Sequence, residues 1–164
     1  MTIRTNTPNL LDNPPVPLQA KLAAAWTSLM FFYIYIDYFH LYKPGAIDQI
    51  RGGDIFEFHI APTLMIIFVL VIGIPALMVM LSMTLPARAN RTLNLVVASL
   101  YIPVTVFNAT GASSDWAFYY GFHIGLEVLI LAFILRSAWT WPRTPSASMP
   151  DRVEPNRSQN QAGR

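Results

Sequence analysis

The chain has 164 residues, of which 54% are hydrophobic and 12% are charged, with a formal net charge of +2. Soluble domains carry about 25% charged residues, so this composition is typical of a membrane protein with one domain. The basic residues lie in tails and between apolar runs and form no patch, which argues against nucleic-acid binding. The absence of cysteine excludes disulfides, thiolate zinc sites, iron–sulfur clusters and thiol catalysis.

Four apolar segments predict an all-α polytopic membrane protein with a single four-helix bundle. They lie at about residues 21–41, 59–85, 93–107 and 116–141, and a segment of ~20 apolar residues suffices to cross ~30 Å of hydrocarbon. Residues 1–20 contain four prolines and no apolar core, so we expect a disordered arm and no cleaved signal peptide. The polar tail at 143–164 is also predicted to be disordered. The transmembrane domain therefore covers residues 21–142.

The loop after the first segment contains the most polar part of the predicted outer side. Lys43-Pro44-Gly45 ends the first helix, because proline cannot continue a helix and glycine relaxes the turn. Residues 46–51 are expected to form a short helical turn on the membrane surface, which Gly52 and Gly53 would end.

The basic residues predict the orientation. Nine of the 11 Lys and Arg residues fall on one side of the four spans, namely Arg4, Lys21, Arg88, Arg91, Arg136, Arg143, Arg152, Arg157 and Arg164. Lys43 and Arg51 fall on the other side. Because Lys and Arg mark the cytoplasmic side, both termini are predicted to be cytoplasmic. The expected location is the inner (plasma) membrane, and the lipid bilayer is the expected partner.

Polar side chains occupy defined faces of the first and last segments. Each helical residue turns by 100°, so Tyr33 and Asp37 share one face, with His40 at its edge. His123 and Glu127 share a face of the last segment by the same count. If the two helices are neighbours, Asp37 can meet His123. Tyr33 can then meet Glu127, and the pairs would form a polar column that opens to the outside.

Three interpretations of this column remain open. The pairs could be hydrogen bonds that fix helix packing. They could instead form a proton or ion path through Asp37, Glu127, His123, Tyr33 and His40, because a carboxylate in apolar surroundings takes up a proton readily. A metal is not expected, but Asp37, His40, His123 and Glu127 would be its ligands. Haem would use His40 or His59 with His123. No cofactor is predicted, and no motif predicts an enzyme.

Gly121 and Gly125 form a GxxxG pair on the face of the last segment opposite His123 and Glu127. Such pairs allow close approach of a second helix. We therefore expect helix packing there, either within the chain, in a homo-oligomer or in a larger membrane complex.

Several motifs resemble those of a known family. They are YIYIDYFHLYKPG at residues 33–45, PALMVMLSMTL at 75–85, Asn90-Arg91 with Asn94, and the stretch at 116–120 followed by Glu127. The similarity covers about residues 21–142 and points to a family of small bacterial four-helix membrane proteins that is known only as a domain of unknown function. Asp37 and Glu127 match its pattern. The resemblance implies a four-helix inner-membrane protein and carries no reaction, substrate or cofactor.

The function that these observations favour is a small proton-linked transporter or channel-like protein that uses Glu127 and Asp37. A structural accessory subunit of a membrane complex is the first alternative. A membrane redox protein that binds a metal or haem is the second.

Overall fold

A computed structural model of the chain describes residues 14–110 and 114–142. Its elements are α1 (Leu18–His40), α2 (Ala46–Arg51), β1 (Asp54–Ile55), β2 (Phe58–His59), α3 (Pro62–Thr84), α4 (Ala87–Thr110), a 3₁₀ turn (Ser114–Trp116) and α5 (Ala117–Trp139). The all-α class is confirmed, with a two-stranded hairpin as a small addition. Most of the predicted N-terminal arm and all of the predicted C-terminal tail lie outside the described residues.

Three of the long helices, α1, α3 and α5, are long and apolar enough to cross a membrane, with mean hydropathies of 1.2, 3.0 and 1.8. Large apolar side chains such as Ile66, Val69 and Leu129 project from these helices and are exposed, as expected for surfaces that face lipid. The chain therefore has the character of a membrane protein. The 24-residue α4 falls outside this group, because its first two turns contain Arg88, Asn90, Arg91 and Asn94.

The helices pack in the order α3, α1, α5, α4, and the contact between α3 and α4 is the sparsest. We call the end where α1 begins and α5 ends the base, and the opposite end the mouth. The core fills the base and middle, and its largest members include Leu22, Trp26, Leu29, Met78, Leu131 and Ile134. The bundle is therefore closely packed at its base.

Backbone carbonyls without helical donors provide the points at which α4 is attached to the bundle. A proline has no N–H, so Pro75 inside α3 leaves the Val71 carbonyl without its helical donor. The carbonyls of Ser82 and Ala138 lie in the last turns of α3 and α5, where a helix end leaves carbonyls without donors. Side chains of α4 donate to all three: Tyr101 Oη to Val71 at 2.7 Å, Asn90 Nδ2 to Ser82 at 2.6 Å and Arg91 Nε to Ala138 at 3.1 Å. Polar residues of α4 thus satisfy backbone groups that would be costly to leave unpaired in an apolar environment.

A second set of buried hydrogen bonds joins α1 to α4 near the base. Trp26 Nε1 donates to Asn94 Oδ1 at 2.7 Å, and Asn94 Nδ2 donates to Asn90 Oδ1 at 2.7 Å. All three side chains are fully buried. These bonds explain why α4 begins at Ala87 although the apolar run begins only at residue 93: its polar first turns have partners inside the bundle.

The loop between α1 and α3 is ordered. The short helix expected at residues 46–51 is confirmed, and Gly53 follows it with a φ of 94°, which favours glycine. Ile55 then pairs with Phe58 in the antiparallel hairpin, which the apolar pattern does not predict. Because residues 58 and 59 belong to β2, α3 begins at Pro62, where a proline in the first turn is tolerated.

Candidate functional site

A cavity of about 1020 Å³ occupies the mouth half of the bundle. Its walls come from α1, α3, α5 and the hairpin, with one residue of α4. The ring-bearing wall residues include Tyr33, Tyr38, Phe56, Phe58, Phe68 and Tyr120. Drug-sized ligands occupy pockets of about 300–1,000 Å³, so the volume is large enough for a small molecule.

A histidine and a glutamate one turn apart on α5 lie at the deep end of this cavity. His123 Nε2 is 2.6 Å from Glu127 Oε1, as the i, i+4 spacing predicts. His123 lines the cavity, whereas Glu127 lies one turn deeper and is 0% exposed. The second carboxylate oxygen of Glu127 is buried and has no hydrogen-bond partner among the described residues. A buried carboxylate oxygen without a hydrogen-bond partner is costly in apolar surroundings.

The hydroxyl groups of Tyr33 and Thr105 lie near Glu127. Tyr33 of α1 is buried and lies close enough to Glu127 to interact with it electrostatically. Its hydroxyl and that of Thr105 on α4 are neighbours, yet neither makes a hydrogen bond of ordinary geometry within the described part of the chain. The region around Glu127 therefore contains several polar atoms that can exchange hydrogen bonds.

Asp37 lies one turn nearer the mouth than Tyr33 and lines the cavity. Asp37 and His123 line the same cavity and α1 packs against α5, so the Asp37 carboxylate lies close enough to His123 and Glu127 to interact with them electrostatically. The side chain is exposed to the cavity. Tyr33, Asp37, His123 and Glu127 thus form a row of polar groups that runs from the mouth into the middle of the bundle.

The hairpin covers part of the mouth through Phe56. The His40 ring packs on the Phe56 ring with the centroids 4.3 Å apart, and Gln49 Nε2 donates to the Phe56 carbonyl at 2.6 Å. Phe56 has a φ of 53°, at the first position of a two-residue connection that normally takes glycine. This conformation is uncommon for a bulky residue and is a form of strain that often occurs where ligands are held.

Lys43, at the start of the loop after α1, contacts the mouth end of α5. Lys43 Nζ donates to the Tyr120 hydroxyl at 3.1 Å. It also lies 5.3 Å from the centroid of the Trp116 ring and 5.1 Å from that of Tyr120. Cation–π contact of this kind stabilises a partly desolvated ammonium group.

The donors suggested for a metal do not assemble into a metal-binding group in the described part of the chain. Among residues 14–110 and 114–142, no group of three or more His, Cys, Asp or Glu side chains could hold a metal ion. His59, a suggested haem ligand, lies on the exposed hairpin, where its Nδ1 is 3.0 Å from Asp54 Oδ1.

Gly121 and Gly125 face outward from α5. A Cβ atom added at either position would meet no atom within 4 Å, since no described helix packs there. Packing at this face would therefore need a second subunit or another protein.

Several residues of the site are absent from the sequence-based set. Phe56, Phe58 and Phe68 are distant in sequence from the polar stripes, and only the fold brings them to the cavity wall. Lys43 was identified as a helix-ending residue and as a basic residue of the outer side, and not as part of a site. Thr105 shares a helix face with Asn94 and Tyr101 by spacing and is fully buried, but spacing alone does not place it beside Tyr33.

The comparisons with known proteins concern the same part of the chain. No curated protein and no solved structure matches the sequence. The model of one protein family matches residues 17–148, a range that includes all five long and short helices and the whole cavity. The chain therefore belongs to the Family of unknown function (DUF6326).

Proposed function

We propose that the chain crosses the inner (plasma) membrane four times, with both termini in the cytoplasm and the mouth of the bundle facing outward. The uneven distribution of Lys and Arg supports this orientation. Lys43 and Arg51 lie at the mouth end, and Lys21, Arg88, Arg91 and Arg136 lie at the base end.

In this proposal α4 is the fourth span. Its 24 residues extend roughly 36 Å, enough to cross the hydrocarbon layer. Its polar first turns can be accommodated because Asn90, Arg91 and Asn94 hydrogen-bond inside the bundle. Polar residues in spans are tolerated when they face the interior and have partners.

We propose further that the protein is a small proton-linked transporter in which Glu127 and His123 bind the proton and the cavity holds the transported molecule. Asp37 and Tyr33 would connect the pair to the mouth. One observation carries this proposal: the buried Glu127 carboxylate lies 2.6 Å from Nε2 of His123, and His123 lines a cavity of about 1020 Å³. The close packing at the base favours alternating access over an open channel.

The test measures proton flux into liposomes that contain the purified protein, driven by a potassium diffusion potential and followed with an internal pH dye. Glu127→Gln keeps the shape of the side chain and its contact with His123 but cannot ionise. We expect this variant to lower the flux about tenfold or more. Asp48→Asn on the exposed α2 is the matched control and should retain the full rate. Equal flux from Glu127→Gln and the unmodified protein would contradict the proposal.

A second function rests on the open glycine face. Gly121 and Gly125 present an uncovered surface on α5, which would suit an accessory subunit that packs against a larger membrane complex. Purification in mild detergent would then yield a stoichiometric partner, and substitution of Gly125 by Leu would release it.

A further inference from the structure

The cavity combines aromatic walls with carboxylates that have few basic partners. Phe56 and Phe58 from the hairpin, Phe68 from α3 and Tyr120 from α5 present ring surfaces to the same space. Aromatic faces carry negative charge density and attract cations within about 6 Å. A wall of this kind therefore favours a molecule that is both apolar and positively charged.

The charges around the cavity have the sign that attracts such a molecule. Asp37 and Glu57 both line it, and within the described part of the chain neither side chain makes a hydrogen bond or an ion pair. Of the basic groups nearby, His123 contacts Glu127, Lys43 contacts Tyr120, and the His40 ring packs on Phe56. No lysine or arginine is among the described residues that line the cavity, so an anionic ligand would meet the two carboxylates without such a cation to offset them.

Asp37 is the group that best suits an ion pair. It lies in the apolar sequence of α1, faces the cavity and interacts electrostatically with His123 from across the helix interface. A carboxylate within a spanning helix is costly unless it has a partner, so a bound cation would compensate for that cost. Glu57, on the exposed hairpin, is more strongly screened by water.

We propose that the cavity binds a monovalent lipophilic organic cation, such as an amine or a quaternary ammonium or phosphonium ion, with its charge at Asp37 and its apolar groups against the aromatic wall. This inference rests on the proposed transport function, because it names the class of molecule carried. The volume of about 1020 Å³ accommodates a molecule of drug size.

Tetraphenylphosphonium is a suitable probe, because tetraphenylborate has nearly the same shape and the opposite charge. Binding of each ion to the full-length protein in mild detergent would be measured by equilibrium dialysis, with empty micelles subtracted. We expect saturable binding of the phosphonium at one ion per chain and no saturable binding of the borate. Equal binding of the two ions would overturn the proposal, and this comparison needs no variant.

Variants then locate the charge. Asp37→Asn should weaken phosphonium binding about tenfold or more, because one partner of a desolvated ion pair is lost. Asp48→Asn, outside the cavity, should leave binding unchanged. Helical content and a single gel-filtration peak would show that both variants fold. Unchanged affinity in a folded Asp37→Asn variant would overturn the proposal.

The two proposals fail in different ways. Phosphonium binding without a proton flux that depends on Glu127 would support the cation site and contradict transport. A flux that depends on Glu127 without phosphonium binding would support transport and contradict the cation site.

Discussion

The hydrogen bond between Tyr101 and the Val71 carbonyl offers a quantitative test of how α4 is held in the bundle. The Tyr101 hydroxyl donates at 2.7 Å to a carbonyl that Pro75 leaves without a helical donor. Tyr101→Phe removes only the hydroxyl group. It keeps the ring, which packs between the rings of Trp26 and Tyr33. The main effect of this substitution is therefore an unpaired carbonyl.

The expected magnitude follows from the partial burial of the hydrogen-bonded pair. Leaving a buried acceptor unsatisfied costs about 1–3 kcal/mol, although hydrogen bonds measured inside membrane proteins average ~0.6 and reach ~1.7 kcal/mol. We therefore expect Tyr101→Phe to lower the free energy of unfolding by about 1–2 kcal/mol. Tyr35→Phe is the matched control, because Tyr35 is 52% exposed and its ring packs on those of Phe31 and Phe39.

A double-mutant cycle isolates the role of the proline. Pro75→Ala restores an N–H that can donate to Val71, so Tyr101→Phe should cost less than ~0.5 kcal/mol in that background. The assay is reversible unfolding in mixed micelles with increasing SDS, followed by tryptophan fluorescence. Any loss of packing caused by Pro75→Ala is present in both the single and the double variant, so it cancels when their free energies of unfolding are subtracted. Additive effects of the two substitutions would refute the reasoning.

Three further predictions use the same structure. Trp26→Phe should destabilise the bundle by at least about 1–2 kcal/mol in the same unfolding assay, because it leaves the buried Asn94 oxygen without its donor; a change below ~0.5 kcal/mol would contradict a stabilising role for this hydrogen bond. The chain has no cysteine, so a single cysteine introduced by Asp48→Cys or Arg88→Cys reports the side of the membrane on which that position lies. A membrane-impermeant maleimide applied to intact cells should label the Asp48→Cys variant and not the Arg88→Cys variant. The opposite labelling pattern would show that the orientation is the reverse of the proposed one. Gly125→Ala should change stability by less than ~0.5 kcal/mol in a monomer, since the new Cβ meets nothing within 4 Å; a shift in oligomeric state by light scattering would instead indicate a helix packed on this face.

Most of the fold could be predicted from the apolar runs and the helical periodicity. Long apolar segments predict helices because a membrane leaves the backbone few other ways to satisfy its hydrogen bonds. The start of α4 was not predicted, since Asn90 and Arg91 resemble loop residues until their acceptors are known. Those acceptors are carbonyls in the last turns of α3 and α5, so no pattern local to α4 reveals them. The hairpin was missed because two-residue strands leave no periodic signal, and Phe56 stands where a glycine would have marked the turn.

Only part of the candidate site could be predicted from the sequence. Spacing alone predicts that His123 and Glu127 share a face, and their contact at 2.6 Å follows from it. That Asp37 faces His123 depends on α1 packing against α5, which the sequence left as an assumption. The cavity itself depends on the positions of the hairpin and of α3, and these are set by tertiary packing that no periodicity encodes.

The most direct test of the central claim is an infrared difference spectrum of the protein in lipid, recorded as the outer pH is lowered. If Glu127 binds the proton, a C=O band of a protonated carboxyl group should grow with acidification and should be missing in Glu127→Gln. Asp37→Asn should keep this band, which separates the two carboxyl groups of the row. A spectrum that is identical in the unmodified protein and in Glu127→Gln would show that Glu127 does not exchange a proton, and would contradict the account.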